Sequence, residues 1–191
     1  MNDQRVKVKS KNTGRWAVLI ATMIVAISLP VAANDRDVRA KTVPASVCEP
    51  ANSGTENRVL LSNGAWVFRS GQTGTVTFWC PVSLNAYTVS NTGNDNDISW
   101  YRVYYRDTDG TGTAARVTTR LTYRRSNGLF SAGSTWNSNS SSGTGNKIAY
   151  KQNTHDVRFG ALYAFLVTLQ RTSTSQSPAF SGIDFELPPV P

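Results

Sequence analysis

The chain has 191 residues, with 20 Lys+Arg, 12 Asp+Glu, one His and two Cys. Hydrophobic residues at 39% and charged residues at 17% exclude a coiled coil and a highly charged disordered chain. With 21 Thr, 20 Ser, 15 Asn and 14 Gly against 6 Lys and 3 Glu, helix formers are scarce and strand and turn formers abundant, as in an exported all-β domain.

Residues 1–33 read as a signal peptide. Arg5, Lys7, Lys9, Lys11 and Arg15 precede the uncharged run Trp16–Ala33, which ends in Pro30 and the small residues Val31 and Ala33. The competing reading, an uncleaved anchor, conflicts with Pro30 and the Val-Ala-Ala ending. Cleavage after Ala33 lowers the net charge from +8 to +4. Basicity alone therefore does not point to a polyanion, and no nucleic-acid partner is expected. No second long apolar run follows, so no membrane contact is expected after cleavage. The destination is the periplasm or the medium.

Residues 34–46 are polar and aperiodic and are expected to be a disordered lead-in. Residues 47–188 form the folded domain and 189–191 a tail. In an oxidising compartment Cys48 and Cys80 pair as one disulfide, because the single His lies too far along the chain for a metal site.

Short β-rich runs then alternate with turns, as in an antiparallel two-sheet β-sandwich of jelly-roll or Ig-like type. Arg58–Leu61 and Ala65–Phe68 flank Asn63-Gly64, a strong hairpin signal. In Thr75–Cys80, Val76, Phe78 and Cys80 share one face, and Pro81 ends the pairing or marks a sheet edge. Leu84–Val89 is the next strand, before the loop 90–97. Ile98–Arg106 and Ala114–Arg124 are two long strands predicted to form the clearest hairpin, through Asp107–Thr113. Residues 131–146 are expected to be a mobile loop. Lys147–Gln152, Ala161–Arg171 and the strand through Ile183, Phe185 and Leu187 complete the domain.

The segments PASVCEP and WCPVSL, with the Cys80-Pro81 pair, resemble a group of uncharacterised secreted bacterial proteins. The resemblance spans Cys48 to Leu187. It implies a disulfide-linked sandwich and carries over no functional residue.

Catalytic chemistry finds little support. A serine triad would use His155 with Asp156 or Asp184, but adjacent strand residues face opposite ways and no G-x-S-x-G elbow is present. His155 reads instead as a turn histidine. Glu49, Glu56 and Glu186 make no evident pair for glycoside hydrolysis. Asn94–Asp97 and Asp107–Gly110 gather oxygen ligands suited to calcium, yet ordinary turn chemistry explains both. No catalytic residue, metal or cofactor is assigned.

The clearest binding feature is the predicted hairpin. Alternation puts Trp100, Arg102, Tyr104 and Arg106 outward on its first strand and Arg116, Arg120 and Arg124 outward on its second. If the two strands pair, five arginines and two aromatics share one solvent face, suited to an acidic polysaccharide or similar surface polyanion. The ordinary alternative is an exposed face of cross-strand arginines stacked on aromatics. The expectation is a secreted, non-catalytic module binding extracellular polysaccharide or another cell-envelope component. A small secreted hydrolase and a structural envelope protein without a ligand stand against it.

Overall fold

The computed structural model describes residues 39–84, 97–158 and 160–187. The expected signal peptide and the segment 85–96, including most of the Leu84–Val89 strand and the Asn94–Asn96 oxygen ligands, lie outside the described residues. In chain order the strands are β1 Arg39–Pro44, β2 Glu49–Pro50, β3 Val59–Ser62, β4 Ala65–Phe68, β5 Gly74–Val82 and β6 Asp97–Asp107. They continue with β7 Ala115–Arg125, β8 Gly128–Ser131, β9 Trp136–Asn137, β10 Gly145–Asp156, β11 Leu162–Arg171 and β12 Ala179–Leu187. Sheet 1 runs β10-β6-β12-β4-β3, with β1 and β4 sharing one edge of β12 end to end. Sheet 2 runs β2-β5-β11-β7-β8, with β9 beside β7. All the pairings are antiparallel. The expected two-sheet sandwich is the fold.

Alternation built these strands. β5 buries Val76, Phe78 and Cys80, and β11 buries Tyr163, Phe165, Val167 and Leu169. The β3–β4 hairpin turns at Asn63 (φ 50°) and Gly64 (φ 76°), the two positive φ values a tight hairpin turn of type I′ needs. Pro81 lies beyond the end of β2, where one edge of β5 is unpaired. β12 carries a register shift between Phe180 and Gly182 that lets Phe180 and Ile183 both face inward. A Cβ at Gly182 (φ 149°) would lie 2.9 Å from the Val43 carbonyl oxygen, so β1 closes on β12 only over a glycine.

The core joins the sheets through aromatic contacts. Tyr101 of β6 meets Phe165 of β11 with ring centroids 4.9 Å apart, and Trp66 of β4 meets Phe78 of β5 at 5.1 Å. Burial pushes the Tyr101 phenol up to about 12.

Three expectations need correction. First, β6 and β7 do not form a hairpin: β6 pairs with β10 and β12, whereas β7 pairs with β11, β8 and β9. The connection between them carries the chain from one sheet to the other. Pairing them would have set arginine against arginine, which is repulsive; instead Arg102 lies between Tyr150 and Asp184, and Arg116 faces Gln170. Second, the expected lead-in is ordered from Arg39: β1 pairs with β12 and buries Val43, while Ala45 is buried in the short 3-10 turn that follows. Third, the segment 131–146 is structured, because buried Trp136 packs edge-on against Tyr105 at 4.9 Å and buried Ser138 accepts the Val117 N–H at 2.9 Å. Both anchors were hidden in a low-complexity stretch.

Cys48 and Cys80 are disulfide-bonded and buried, linking the segment before β2 to β5. The bond fits a secreted protein. Among the described residues no helix is long and apolar enough to cross a membrane. Replacing both cysteines by alanine removes the constraint on a loop of 32 residues' separation and should lower unfolding free energy by about 3–4 kcal/mol in denaturant titrations.

Candidate functional site

The seven outward residues expected on one face are divided between the two outer surfaces of the sandwich. Trp100, Arg102, Tyr104 and Arg106 are on sheet 1, and Arg116, Arg120 and Arg124 on sheet 2. Inward neighbours Tyr101, Val103, Tyr105, Val117, Leu121 and Tyr123 are buried, so the alternation was right within each strand. The strand pairing was not.

On sheet 1 the residues converge into one surface. Cross-strand register sets Tyr150, Arg102 and Asp184 in a row across β10, β6 and β12, with Ile148, Tyr104 and Gly182 in the next row. Arg102 Nε donates to Asp184 Oδ1 at 2.7 Å, and the Tyr104 hydroxyl donates to Asp184 Oδ2 at 2.8 Å. The Asp184 carboxylate raises both the Arg102 guanidinium and the Tyr104 phenol above their ordinary values. The guanidinium sits 5.3 Å from the centre of the Trp100 ring, and Trp100 and Tyr150 have ring centroids 6.4 Å apart. Tyr150 is 70% exposed and Ile148 52%. An open groove of about 450 Å³ lined by Tyr104, Tyr105, Asn146, Lys147, Ile148 and Ser181 continues the surface. Arg106 turns aside, donating from Nε to the Ser177 carbonyl at 2.8 Å and from a terminal nitrogen to the Ser177 hydroxyl at 2.9 Å.

Tyr150 and Ile148 were not singled out by sequence reasoning, although a signal was present. Outward Asn146, Ile148, Tyr150 and Gln152 alternate with inward Lys147, Ala149 and Lys151. The large apolar residues Ile148 and Tyr150 take the solvent face and the lysines the other, the reverse of ordinary amphipathic patterning.

The sheet 2 surface differs. Arg116 donates to Gln170, and the Nε atoms of Arg116 and Arg120 are buried without partners. Arg124 lies between Leu162 and Leu129, beside a cavity of about 390 Å³ that Trp79 and Pro81 also line. The sole ion pair recorded among the described residues is Arg102–Asp184 on the other sheet.

The groups considered for catalysis are dispersed. His155 is not in a turn but faces inward from β10, where its Nε2 meets the Tyr163 hydroxyl at 2.9 Å. The same hydroxyl accepts the Arg158 N–H at 2.8 Å. Asp156 is exposed on the opposite face of β10, and Asp184 belongs to the Arg102 pair. Of the calcium candidates, Asp107 is wholly buried at the end of β6, and Asp109 accepts the N–H groups of Ala114 and Ala115.

No family model and no curated protein matches this chain. Solved structures similar to it include a low-affinity xylan binding module, CBM86, from Roseburia intestinalis: 14% identity, 78% of this chain and 95% of that chain covered, TM-score 0.44. Another is the CBM36-1 domain of a multidomain xylanase from the hindgut metagenome of Trinervitermes trinervoides: 9% identity, 76% and 95% covered, TM-score 0.43. A family two carbohydrate esterase from Cellvibrio japonicus is 9% identical, with 80% of this chain and 36% of that chain covered and a TM-score of 0.38.

Burial, then the charge of Arg158, lowers the His155 pKa below its ordinary 6.5. Between the unfolded and folded values the unfolded chain binds the extra proton, so stability is lost as pH falls below about 6.5. Denaturant midpoints at about pH 7 and pH 5 should show this loss, and His155→Asn should flatten it within that window.

Proposed function

We propose that this protein is a secreted, non-catalytic polysaccharide-binding module whose contact surface is the outer face of sheet 1. The observation that carries this reading is exposed Tyr150 beside half-buried Trp100, next to a fixed Arg102–Asp184–Tyr104 network. Sugar rings present an apolar face and a hydroxyl rim. Two aromatic rings a few ångströms apart on neighbouring strands meet the former, and a few pre-oriented polar groups meet the latter. The ion pair fixes those groups before binding, which lowers the entropic cost of recognition. The reading rests on this surface rather than on likeness to known binding modules. The exported form it requires is the one expected from residues 1–33.

Charge divides the ligand class between the faces. On sheet 1, Asp184 offsets Arg102 and Arg106 is held by Ser177, so this face suits a neutral chain. A second reading, an acidic polysaccharide or other cell-surface polyanion, is favoured by the Arg116–Arg120–Arg124 stripe of sheet 2, which no carboxylate pairs among the described residues.

Affinity electrophoresis against neutral xylan and an acidic glycan separates these readings. Trp100→Ala and Tyr150→Ala should each weaken retention by neutral glycan about tenfold, equivalent to ~1.4 kcal/mol. Replacing Arg116, Arg120 and Arg124 together with Gln should leave that retention intact and reduce only a salt-sensitive retention by acidic glycan. Unchanged retention of both aromatic variants on neutral glycan would remove sheet 1 as the site.

A further inference from the structure

The crossover between β6 and β7 contains two carboxylates that the fold leaves half satisfied. The Asp107 side chain is 0% exposed. Its Oδ1 accepts the Asp109 N–H at 3.2 Å, while its Oδ2 is buried with no partner. Asp109 Oδ2 accepts the Ala114 and Ala115 N–H groups at 2.6 and 3.0 Å, and its Oδ1 is likewise buried without a partner. Turn chemistry accounts for one oxygen of each carboxylate and leaves the other unexplained. Burying a charged oxygen without a compensating group is strongly unfavourable, and such an orphan in a folded protein points to a missing proton, water or ion.

The surroundings supply more oxygen and no soft ligand. The 3-10 turn Ser138–Ser140 is tied to the crossover: Asn139 Nδ2 donates to the Gly112 carbonyl, and the Ser138 hydroxyl lies 3.4 Å from Asn139 Oδ1. The Ser138 hydroxyl lies close enough to the Asp107 carboxyl to favour its charged form, although it makes no hydrogen bond of good geometry to Oδ2. The loop is drawn tightly around these groups. A Cβ at Gly112 would lie 2.4 Å from Asp109 Oδ2, and one at Gly110 would lie 2.7 Å from the Ser142 carbonyl oxygen. Among the described residues no third acidic, His or Cys side chain joins the pair. Two carboxylates match the charge of one divalent ion, and neutral oxygens are left to complete its shell.

We propose that Asp107 Oδ2 and Asp109 Oδ1 bind a calcium ion at the β6–β7 crossover, with the neighbouring Ser138 and Asn139 side chains and water as further oxygen donors. An all-oxygen donor set selects a hard cation. Calcium accepts irregular, partly dehydrated oxygen shells, whereas magnesium demands near-octahedral geometry and retains its water. The ion ties the strand leaving sheet 1 to the strand entering sheet 2. The competing explanation for the orphan oxygens is a proton shared by the two carboxyls. Burial raises the Asp107 carboxyl above its ordinary value and the neighbouring Asp109 side chain raises it further.

The test uses the full domain with its disulfide intact, stripped with a chelator and then titrated with Ca²⁺ or Mg²⁺. At about 10 mM, well above the dissociation constants of about 10⁻⁴–10⁻³ M found for extracellular calcium modules, Ca²⁺ should raise the melting temperature by about 5 °C and Mg²⁺ by less than half as much. Calorimetry should find one Ca²⁺ site per chain. Asp107→Asn keeps the shape and the Oδ1 acceptor, and Asp109→Asn keeps an acceptor for Ala114 and Ala115. Each variant should abolish the calcium shift while retaining the far-ultraviolet spectrum. A melting temperature indifferent to Ca²⁺, with stability rising as the stripped protein is acidified towards the raised Asp107 pKa, would assign the site to a shared proton and overturn the proposal. A calcium shift that survives Asp107→Asn would place the ion elsewhere and overturn it equally.

Discussion

The passage of the chain from sheet 1 to sheet 2 between Asp107 and Ala115 is the constraint on which the rest of the surface chemistry depends. β6 and β7 are both eleven-residue alternating strands, and each must bury one face. Placed in opposite sheets, they bury those faces in a common core, where the Thr119 hydroxyl of β7 reaches the Tyr101 hydroxyl of β6 at 3.4 Å. Their outward residues then point away from one another across the whole thickness of the sandwich. Stacked sheets lie about 10 Å apart, so a connection of this length crosses readily. One pairing decision therefore determines which arginines are neighbours.

The two surfaces that result are chemically unlike. Sheet 1 carries a carboxylate at Asp184, and that single residue organises Arg102 and Tyr104 into a fixed network beside Trp100. The Arg102 charge is compensated there, Arg106 is held by neutral Ser177 groups, and the remaining character is aromatic and hydrogen-bonding. Sheet 2 sets Arg116, Arg120 and Arg124 opposite Gln170, Leu166 and Leu162 of β11. Amide and aliphatic neighbours separate the cations laterally without offsetting their charge. The two faces of the domain therefore differ in charge and in aromatic character.

β10 shows the clearest departure from what stability alone would select. Burying an aliphatic or aromatic side chain contributes roughly 1.5–3 kcal/mol, yet Ile148 and Tyr150 face solvent while Lys147 and Lys151 occupy the inward positions. Lys147 is accommodated by the Ser141 hydroxyl and by the face of Tyr105, at 3.2 and 6.0 Å, near the edge of the sheet. Local patterning that contradicts the fold's ordinary logic concentrates where a surface has a task. This strand supplies Tyr150, the most exposed aromatic of the proposed contact surface, and was legible only as an anomaly.

The amino-acid sequence by itself determined what depends on near neighbours along the chain: the all-β character, the Asn63-Gly64 turn, the disulfide available to two cysteines, and the inward and outward residues of β5, β6, β7 and β11. These follow from backbone preferences and a two-residue period, which operate within one strand. The partners of each strand were decided only in the tertiary structure, because alternation is the same whichever strand lies alongside. Hence Tyr150 and Asp184 flank Arg102, from 48 and 82 residues away along the chain, while Arg116, which lies much nearer in sequence, faces the other side of the sandwich. The same holds for β1 and Trp136: a polar lead-in and a low-complexity stretch hold no period of their own and became ordered because β12 and Tyr105 offered them a surface to cover. Strand identity is local physics, whereas strand neighbourhood is the outcome of burying every apolar face at once.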